Sequence, residues 1–403
     1  STEYDALNRP AQVTFDDATF QKSFYTSTGL KWKAQDELGR TTATEYDRAA
    51  RAVKVTLPPV FNTATGLTES PVVRTEYDEA GNVSATINAL GRRWEYEYDN
   101  RNRKVSEKHP EVWDAETAAY VHPTIETDYD DVGNVVQVVD ARGYPANNTY
   151  DEANRMLTHK GPLVTKPDNT TARPVTVTTY DKSGHVLTVT DPNGKVTTNT
   201  YDDLGRLETT TDAEGMVVTN EYDKVGNRTA VIDGKNQRTE FEYDGLNRNT
   251  VIRDALNRET VFVYNNVNKT ARVDAMGQRT EYGYDDRHRL ETVTYVGRTA
   301  DNRSYDYDAV GNLLGVSEPG KAGKADVAYT YDALNRPQSE TSGGVTHQYR
   351  YDLASNRTLV TYGGTGREIV STYDALNRLA TMTENGRITS YAYNAVGAVS
   401  IRS

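Results

Sequence analysis

A short repeat runs through this chain and constrains its fold more than any other feature. Residues 201–219 show one copy, which opens with Tyr-Asp, turns at Gly205, and continues through alternating residues to a second Asp-x-x-Gly turn. The next copies begin 21 residues apart, at Tyr222 and Tyr243. Self-similarity at a fixed short period is typical of repeat architectures, in which each unit packs mainly on its neighbours.

The repeats can be followed from one end of the chain to the other, and we number them 1 to 18. Their spacings range from 20 to 31 residues, and 21 is the commonest. No unique segment is long enough to form a separate domain, so we interpret residues 1–403 as a single array. The lead tyrosines of repeats 1 to 18 are Tyr4, Tyr25, Tyr46, Tyr77, Tyr98, Tyr129, Tyr150, Tyr180, Tyr201, Tyr222, Tyr243, Tyr264, Tyr284, Tyr307, Tyr331, Tyr351, Tyr373 and Tyr393.

Each repeat carries two turn signals. Four residues after the lead Tyr stands Gly in eight repeats and Asn in seven, with Ala50, His288 and Ser355 as the exceptions. Gly and Asn share a low cost for positive φ, and an Asp that opens such a turn matches a type I turn closed by a bulge. The sequence therefore predicts one hairpin turn at residues 202–205 and a second at residues 212–215, so each repeat is two short antiparallel strands.

The residues between the turns alternate in character, which assigns them to faces. In residues 238–243, Arg-Thr-Glu-Phe-Glu-Tyr, the Thr and the aromatic residues share one side and the two Glu share the other. A slip of one residue would exchange the faces, so the register is well specified. We predict an aromatic ladder on one face and Thr, Glu, Arg and Asn on the other.

Composition excludes the common alternatives to a single sheet. Only 36% of the 403 residues are hydrophobic and the mean hydropathy is −0.75, which is too polar for a two-layer sandwich of this size. Disordered chains are poor in aromatic residues, whereas this chain has 28 Tyr, 18 of them at the fixed lead position. Roughly 36 strands in one sheet exceed what an open sheet holds without curling or flattening. We therefore expect a ribbon that winds into a spiral or shell.

The net charge and the lack of cysteine exclude several kinds of partner and binding site. Asp and Glu number 58 against 46 Lys and Arg, and the net charge of −12 argues against a nucleic-acid partner. The chain has no Cys, which excludes disulfides and thiolate metal sites. It shows no apolar run of transmembrane length and no signal peptide. Because it begins inside a repeat, we interpret it as a segment of a longer protein.

The lead motif resembles the YD repeat of the Rhs family. One common variant of that repeat is Tyr-Asp-x-x-Gly-Asn/Arg, as in residues 77–82. Residues 373–378, Tyr-Asp-Ala-Leu-Asn-Arg, match the other common variant, in which Asn stands in place of Gly. The resemblance covers nearly the whole chain in eighteen registered copies. The residues that carry it most clearly are Tyr77, Asp78 and Gly81; Tyr129, Asp130 and Gly133; Tyr201, Asp202 and Gly205; Tyr222, Asp223 and Gly226; Tyr243 and Asp244; and Tyr307, Asp308 and Gly311.

The resemblance implies an architecture and a function. In that family, which includes insecticidal toxin-complex shells, polymorphic Rhs toxins and teneurins, the repeats form a β-sheet ribbon that spirals into a hollow shell. In the bacterial toxins the shell encloses a C-terminal toxin polypeptide. The implied function here is a non-catalytic structural segment of the encapsulating shell of a secreted or cell-surface protein, with an enclosed polypeptide as partner.

One family feature does not carry over. The family's Asp-Pro-x-Gly core motif, which performs self-cleavage, normally follows the repeats, and nothing like it follows Tyr393. Residues 191–194, Asp-Pro-Asn-Gly, have the same spelling but occupy a second-turn position inside a repeat, so we interpret them as a structural turn. The autoprotease and the cargo of the family are therefore not assigned to these residues.

Three long loops distinguish residues 46–200. The extra residues fall at the second turn, at about 57–71, 109–123 and 161–174, and hold eight of the 13 prolines. Because insertions in repeat proteins commonly gather on one face, often the binding face, Phe61, Trp113 and Tyr120 are candidate residues for binding a glycan or a protein. The alternative is that the loops fill or cap the edge of the sheet.

Residues 241–403 carry a doubled aromatic ladder, with an aromatic residue two positions before most lead tyrosines. Packing within the sheet explains it, and the alternative is a lining that stacks sugars or holds a polypeptide, because Tyr offers a flat apolar face with a polar tip. The added aromatic residues are Phe241, Phe262, Tyr282, Tyr305, Tyr329, Tyr349 and Tyr391.

The search for catalytic chemistry finds no candidate. Six His residues lie without metal-ligand spacing, and the fingerprints of metalloproteases, nucleotide-binding loops and serine hydrolases are absent from the sequence. The repeated Asp-x-x-Gly lacks the several oxygen ligands of a calcium loop. A hydrolase would need one special carboxylate, whereas pairs such as Glu240 and Glu242 recur as ordinary solvated positions. We therefore predict no enzyme activity, no metal and no cofactor.

Overall fold

The computed structural model describes residues 1–165, 169–318 and 327–402. Each repeat contributes two strands to it. One strand of each repeat runs into the lead tyrosine and one returns from it. The strands that end at lead tyrosines are Thr2–Tyr4, Phe20–Tyr25, Thr41–Tyr46, Val72–Tyr77, Arg93–Tyr98, Thr124–Tyr129, Pro145–Tyr150, Val175–Tyr180, Val196–Tyr201, Val217–Tyr222, Arg238–Tyr243, Glu259–Tyr264, Arg279–Tyr284, Arg303–Tyr307, Val327–Tyr331, Val345–Tyr351, Arg367–Tyr373 and Arg387–Tyr393.

The returning strands are of similar length and continue into the second turn of each repeat. They are Pro10–Thr14, Lys31–Gln35, Ala52–Thr56, Val83–Ile87, Lys104–Lys108, Val135–Val139, Met156–Lys160, Val186–Thr190, Leu207–Thr211, Arg228–Ile232, Asn249–Arg253, Lys269–Val273, Leu290–Tyr295, Leu313–Ser317, Pro337–Ser342, Arg357–Tyr362, Leu379–Glu384 and Val399–Arg402. A short 3-10 turn covers Thr299–Asp301. Nowhere in the described ranges is there a helix with the length and apolarity needed to cross a membrane.

Consecutive strands pair in an antiparallel sheet. In repeat 9, Thr198 lies opposite Thr211, and the return strand then pairs with the next repeat through Thr209 and Thr219. These strands, joined by two strands of a loop, belong to one sheet of 38 strands. The predicted all-β fold, a long antiparallel ribbon of tandem hairpins, is confirmed.

The chain divides into two compact units, which we call the first and the second unit. The first unit comprises residues 1–125, 283–294 and 298–403, so it holds repeats 1 to 5 and repeats 13 to 18. The second unit comprises residues 126–282 and 295–297, a continuous run of hairpins from repeats 6 to 12.

The sheet keeps few side chains fully buried. Ala85, Ala230 and Ala271, at matching positions in the return strands, are buried completely. Paired hydroxyls support the polar face, as where Thr200 Oγ1 lies 2.7 Å from Thr209 Oγ1. Stability therefore comes from ladders of neighbouring side chains along the sheet rather than from one thick core.

The predicted turns are confirmed. Gly205 N donates to Asp202 O at 2.8 Å, Gly215 N donates to Asp212 O at 3.1 Å, and the register shifts by a bulge at the lead tyrosines. The residue four positions after the lead Tyr has positive φ in 17 of the 18 repeats, including the three sequence exceptions Ala50, His288 and Ser355. Residues 191–194 form the same kind of turn, as interpreted from the sequence.

Candidate functional site

The aspartate after each lead tyrosine closes its own turn. In repeat 11, Asp244 Oδ1 accepts hydrogen bonds from the backbone of Leu246 (2.9 Å) and of Arg248 (3.0 Å), and Oδ2 accepts one from Arg248 Nε (2.8 Å). The side-chain hydrogen bond from Arg248, followed by its backbone hydrogen bond, lowers the pKa of the Asp244 carboxyl. These carboxylates are ionised acceptors within turns, which explains why Asp recurs at this position.

The arginine that ends many of these turns also reaches the next repeat. Arg248 Nη1 donates to the carbonyl of Asn265 at 2.7 Å, and its guanidinium lies 4.5 Å from the ring centre of Tyr264. Such an arrangement combines a hydrogen bond with a cation–π contact. The same pair of contacts is made by Arg9, Arg155, Arg206, Arg289, Arg336 and Arg378.

The lead tyrosines bind the preceding repeat. Tyr222 donates its hydroxyl hydrogen to the carbonyl oxygen of Leu207 at 2.9 Å. Twelve other lead tyrosines do the same with the corresponding carbonyl: Tyr25, Tyr46, Tyr77, Tyr150, Tyr180, Tyr201, Tyr243, Tyr264, Tyr307, Tyr331, Tyr373 and Tyr393. The tyrosine ladder therefore joins repeats, in addition to covering a face of the sheet.

Within the first unit, distant repeats meet edge to edge along a line that we call the seam. Arg40, in the second turn of repeat 2, donates from Nη2 to Asn335 Oδ1 of repeat 15 at 3.0 Å. Arg92, in the second turn of repeat 4, donates from Nη1 to Asn377 Oδ1 of repeat 17 at 2.8 Å. Both contacts join repeats thirteen apart, and both place a second-turn edge against a first-turn edge.

An ionic cluster around Arg287 lies at one end of the seam. Arg287, in the first turn of repeat 13, has Nε 3.2 Å from Asp17 Oδ2 and Nη2 3.1 Å from Glu37 Oε1. Its guanidinium carbon lies 4.0 Å from the ring centre of Phe15. Burial opposes ionisation of Asp17, but hydrogen bonds from Thr19 and nearby arginine charges outweigh it and lower its pKa. The cluster is thus a partly buried ionic contact between two ribbon edges.

The three long loops form small hairpins of their own. Val60–Asn62 pairs with Leu67–Glu69, and Val112–Asp114 pairs with Ala119–Val121. In the third loop Val164–Thr165 pairs with Thr171–Ala172, while residues 166–168 of the predicted loop lie outside the described residues. In the first two loops the valine that starts the hairpin and the polar residue two positions later are buried.

The first two loops lie at the seam. Thr63 Oγ1 lies 3.4 Å from the carbonyl oxygen of Tyr351 and 3.1 Å from Thr358 Oγ1, which joins repeats 3 and 16. The backbone N–H of Ala115 donates to the carbonyl of Tyr393 at 2.8 Å, which joins repeats 5 and 18. Loops and simple turns therefore follow one rule, since repeats 2, 3, 4 and 5 each contact the repeat thirteen positions later.

The predicted binding residues lie on these two loops in two groups. Trp113 and Tyr120 face each other across one hairpin, with ring centres 5.3 Å apart and an angle of 73°, and their side chains are 44% and 69% exposed. Phe61, on the other loop, is 39% exposed and lies 5.1 Å below the guanidinium of Arg350. Their role in binding stays a prediction.

A cavity of about 400 Å³ opens beside Phe61 within the first unit. The side chains that line it include Gln338, Gln348, Arg350 and Ser339. An aromatic ring flanked by amide, guanidinium and hydroxyl groups offers both a flat apolar wall and hydrogen-bonding groups. The cavity therefore combines one aromatic ring with several polar groups.

The doubled aromatic ladder is interleaved with cations. Lys269 Nζ lies 5.3 Å from the ring centre of Phe262 and 5.2 Å from that of Tyr282. Near the other end, the rings of Tyr329 and Tyr331 are 6.5 Å apart and tilted by 40°. These contacts occupy ring faces with neighbours in the sheet, and a lining role of the ladder stays a prediction.

The histidines are distributed among turns and strands. His185 Nδ1 lies 2.8 Å from Asp181 Oδ2 in the turn of repeat 8, and its ring stacks on Tyr201 at 4.6 Å. Across residues 1–165, 169–318 and 327–402, no three His, Asp or Glu side chains converge as a metal site. No described cluster suggests catalytic chemistry.

Sequence reasoning missed the residues that form the seam. Arg40 and Arg92 stand at the same place, directly after the second-turn Gly in Leu-Gly-Arg, and that shared spelling was the available signal. Asn335 and Asn377 were assigned to turn formation, which is correct but incomplete, because their side-chain oxygens also accept from those arginines.

Comparison with protein families matches most of the second half of the chain and parts of the first. The RHS repeat family matches residues 77–111 and 180–216. The teneurin YD-shell family matches residues 214–401. No curated protein matches the sequence.

Several solved structures share the fold. TcdB2–TccC3 without its hypervariable C-terminal region aligns with a TM-score of 0.72 at 15% identity, over 100% of this chain and 22% of that one. The Photorhabdus luminescens Tc holotoxin pore, carrying a TccC3 mutation, gives 0.71 at 15% identity over 100% and 22%. TcdB2–TccC3 gives 0.68 at 14% identity over 100% and 28%. The present chain thus spans about a quarter of those chains.

Proposed function

Because this chain belongs to the YD-repeat family, which includes RHS repeats and the teneurin YD shell, we propose that it is a non-catalytic wall segment of an encapsulating shell. The parent would be a secreted or cell-surface protein. The partner would be a polypeptide of that parent, such as a C-terminal toxin, held behind the wall. The similar Photorhabdus luminescens Tc holotoxin pore, which contains TccC3, supplies the precedent for such an assembly.

The seam is the observation that carries this proposal. A wall must close the gap between successive passes of its ribbon, because an open gap would expose whatever lies behind the wall to solvent. Here turns and loops join repeats 2 to 5 to the repeats thirteen positions later, and the ionic cluster around Arg287 joins repeat 13 to repeats 1 and 2. The hydrogen bonds of Arg40 and Arg92 join a second-turn edge to a first-turn edge, as a wall requires.

Small-angle X-ray scattering on the monodisperse chain tests the wall function. The proposal expects a radius of gyration well above the roughly 22 Å of a compact domain of this length, with a distance distribution typical of a curved or hollow particle. A compact solid globule would overturn it.

A second candidate function is binding of a glycan or a protein, and the cavity beside Phe61 favours it. The ring of Phe61, with Gln348 and Arg350 next to it, would stack on and hydrogen bond to a sugar. If the chain is a binding module, we expect an array of immobilised glycans to retain it on some glycans and not on others.

The variants Phe61→Ala and Gln348→Ala test that candidate. Each should abolish glycan retention while the melting temperature stays near that of the wild type, since both side chains are partly exposed. Lys235→Ala, in an exposed second turn of repeat 10, is the control. Retention that survives both changes, or that is absent in the wild type, would exclude this site.

A further inference from the structure

The first-turn edge of late repeats forms a socket that is filled at the seam. In repeat 17, Asn377 Oδ1 accepts from Asn356 Nδ2 of the preceding repeat at 2.9 Å and from Arg92 at 2.8 Å. In repeat 15, Asn335 accepts in the same way from Asn312 at 2.7 Å and from Arg40 at 3.0 Å. The leucine before each of these asparagines, Leu334 or Leu376, is half-buried. A socket is thus an apolar residue beside a pre-oriented amide oxygen.

The second-turn edge of early repeats forms the matching plug. It consists of a leucine at the tip of the turn and an arginine two positions later, as in residues 38–40 and 90–92. At the seam Leu90 is half-buried and Leu38 is 47% exposed, while the Arg40 side chain is only 15% exposed. Arg40 keeps its local ion pair with Asp36 and still donates to the socket, so the plug needs no rearrangement.

The second unit carries an empty copy of the socket. In repeat 11, Asn247 Oδ1 accepts from Asn227 Nδ2 at 3.0 Å, as its counterparts do at the seam, but the neighbouring Leu246 is 65% exposed. The exposed aliphatic position recurs in four successive repeats, which places an apolar row along this edge. The row consists of Leu204, Val225, Leu246 and Val267.

The second unit also carries an empty copy of the plug. Residues 254–258, Asp-Ala-Leu-Asn-Arg, match the plug pattern in the second turn of repeat 11. Leu256 is 71% exposed, and Arg258, paired locally with Asp254 at 2.6 Å, has a side chain 58% exposed. An unfilled socket and an unfilled plug therefore occur on one chain, on opposite turns of one repeat.

We propose that this edge row is an interaction surface for a second copy of this chain, which docks head to tail by inserting its plug at residues 254–258 into the socket at Leu246 and Asn247. The contact would repeat the chemistry of the seam, with Arg258 donating to Asn247 Oδ1 and Leu256 packing on Leu246. Because plug and socket are different surfaces, the contact is heterologous and adds copies in series. It goes beyond the wall function, since it does not depend on what the wall encloses.

Cross-linking tests the geometry directly, because the chain has no native Cys. Leu246→Cys and Leu256→Cys are purified separately, mixed and oxidised. The expected result is a disulfide-linked heterodimer that forms much faster than either homodimer. Glu97→Cys, exposed on a strand face, is the control that measures random collision. Equal rates for Leu256→Cys with Leu246→Cys and with Glu97→Cys would overturn the proposal.

Sedimentation velocity supplies an independent test with uncross-linked protein. Wild type should show a weight-average sedimentation coefficient that rises with concentration, whereas Leu246→Glu and Arg258→Ala should each sediment as monomers. Both side chains are exposed, so unchanged melting temperatures are expected and separate loss of docking from loss of folding. A wild type that stays monomeric, or association that persists in both variants, contradicts the proposal.

Discussion

Arg92 donates a hydrogen bond to the side-chain oxygen of Asn377 at 2.8 Å, although 285 positions separate them in the sequence. Its second terminal nitrogen lies 3.4 Å from the carbonyl oxygen of Tyr373. One side chain in the second turn of repeat 4 therefore connects two parts of the first unit that are far apart in the sequence.

Arg92→Ala should loosen the seam. A hydrogen bond to a charged group contributes about 1.5–3 kcal/mol, so we expect a free energy of unfolding lower by roughly that amount. Amide hydrogen exchange should also accelerate at Ala115, whose N–H bonds Tyr393 at the same seam. Chemical denaturation and exchange mass spectrometry measure both effects. Lys235→Ala, in an exposed second turn of repeat 10, is the control, and an equal loss there would contradict the role of Arg92.

Tyr222→Phe should weaken the joint between repeats 9 and 10. The change removes the hydrogen bond to Leu207 and leaves that carbonyl without this donor, at a cost of about 1 kcal/mol. Tyr120→Phe, at an exposed ring, should leave the free energy of unfolding within about 0.5 kcal/mol of wild type. Thermal or chemical denaturation of both variants measures these changes in the free energy of unfolding. Equal changes would mean that the hydroxyl of Tyr222 does not contribute to stability.

Ala50→Gly should stabilise the protein. Ala50 has φ 64°, a conformation that costs an L residue about 1–2 kcal/mol and glycine much less. Part of that gain is offset by the greater freedom of glycine in the unfolded chain, so we expect about 0.5–1 kcal/mol.

Gly226→Ala is the reciprocal test of the same rule. Gly226 has φ 103°, and a Cβ there would meet no atom within 4 Å, so backbone strain is isolated from steric contact. We expect a loss of about 1–2 kcal/mol. If both substitutions shift the melting temperature in the same direction, the left-handed turn is not what selects these residues.

Acid should destabilise the turns. The folded-state pKa values of Asp5, Asp151 and Asp244 are lowered, in each case first by a side-chain hydrogen bond from the arginine that ends the turn. A lowered folded-state pKa gives stability that is present above the unfolded value, about 4, and is lost as pH falls through the folded value. The free energy of unfolding should therefore be flat near neutrality and fall below about pH 4.

Denaturation at a series of pH values measures this dependence. Asp244→Asn should flatten the acid limb slightly, because one titrating carboxyl is removed while the turn geometry is retained. A free energy of unfolding that is constant down to about pH 2 would show that these carboxyls titrate alike in the folded and unfolded chain.

The local fold was predictable because each repeat encodes its own structure. Asp202 and Gly205 specify a turn by their own hydrogen bonds and φ preference, and the alternation around Phe241 specifies a face. The three exceptions to the Gly or Asn rule were misleading, since Ala50, His288 and Ser355 adopt positive φ as well. Pairing with neighbouring strands enforces the turn there despite the cost to the residue.

The candidate site was predictable only in part. Phe61, Trp113 and Tyr120 stood out because they are aromatic residues in long loops, but the sequence did not reveal that Phe61 meets Arg350 or that Trp113 faces Tyr120. The second pairing follows from the register of a hairpin inside the loop, whose short strands carry no turn signal of the repeat type.

By itself the sequence determined the hairpins, the turns, the two faces and the all-β ribbon, because all of these depend on residues within one repeat and its neighbours. Only the tertiary structure decided that Arg92 meets Asn377 and that Ala115 meets Tyr393. A contact between repeats thirteen apart depends on small changes of strand direction that accumulate over many hairpins. No single repeat encodes that sum, so similar turns are filled at the seam and exposed in the second unit.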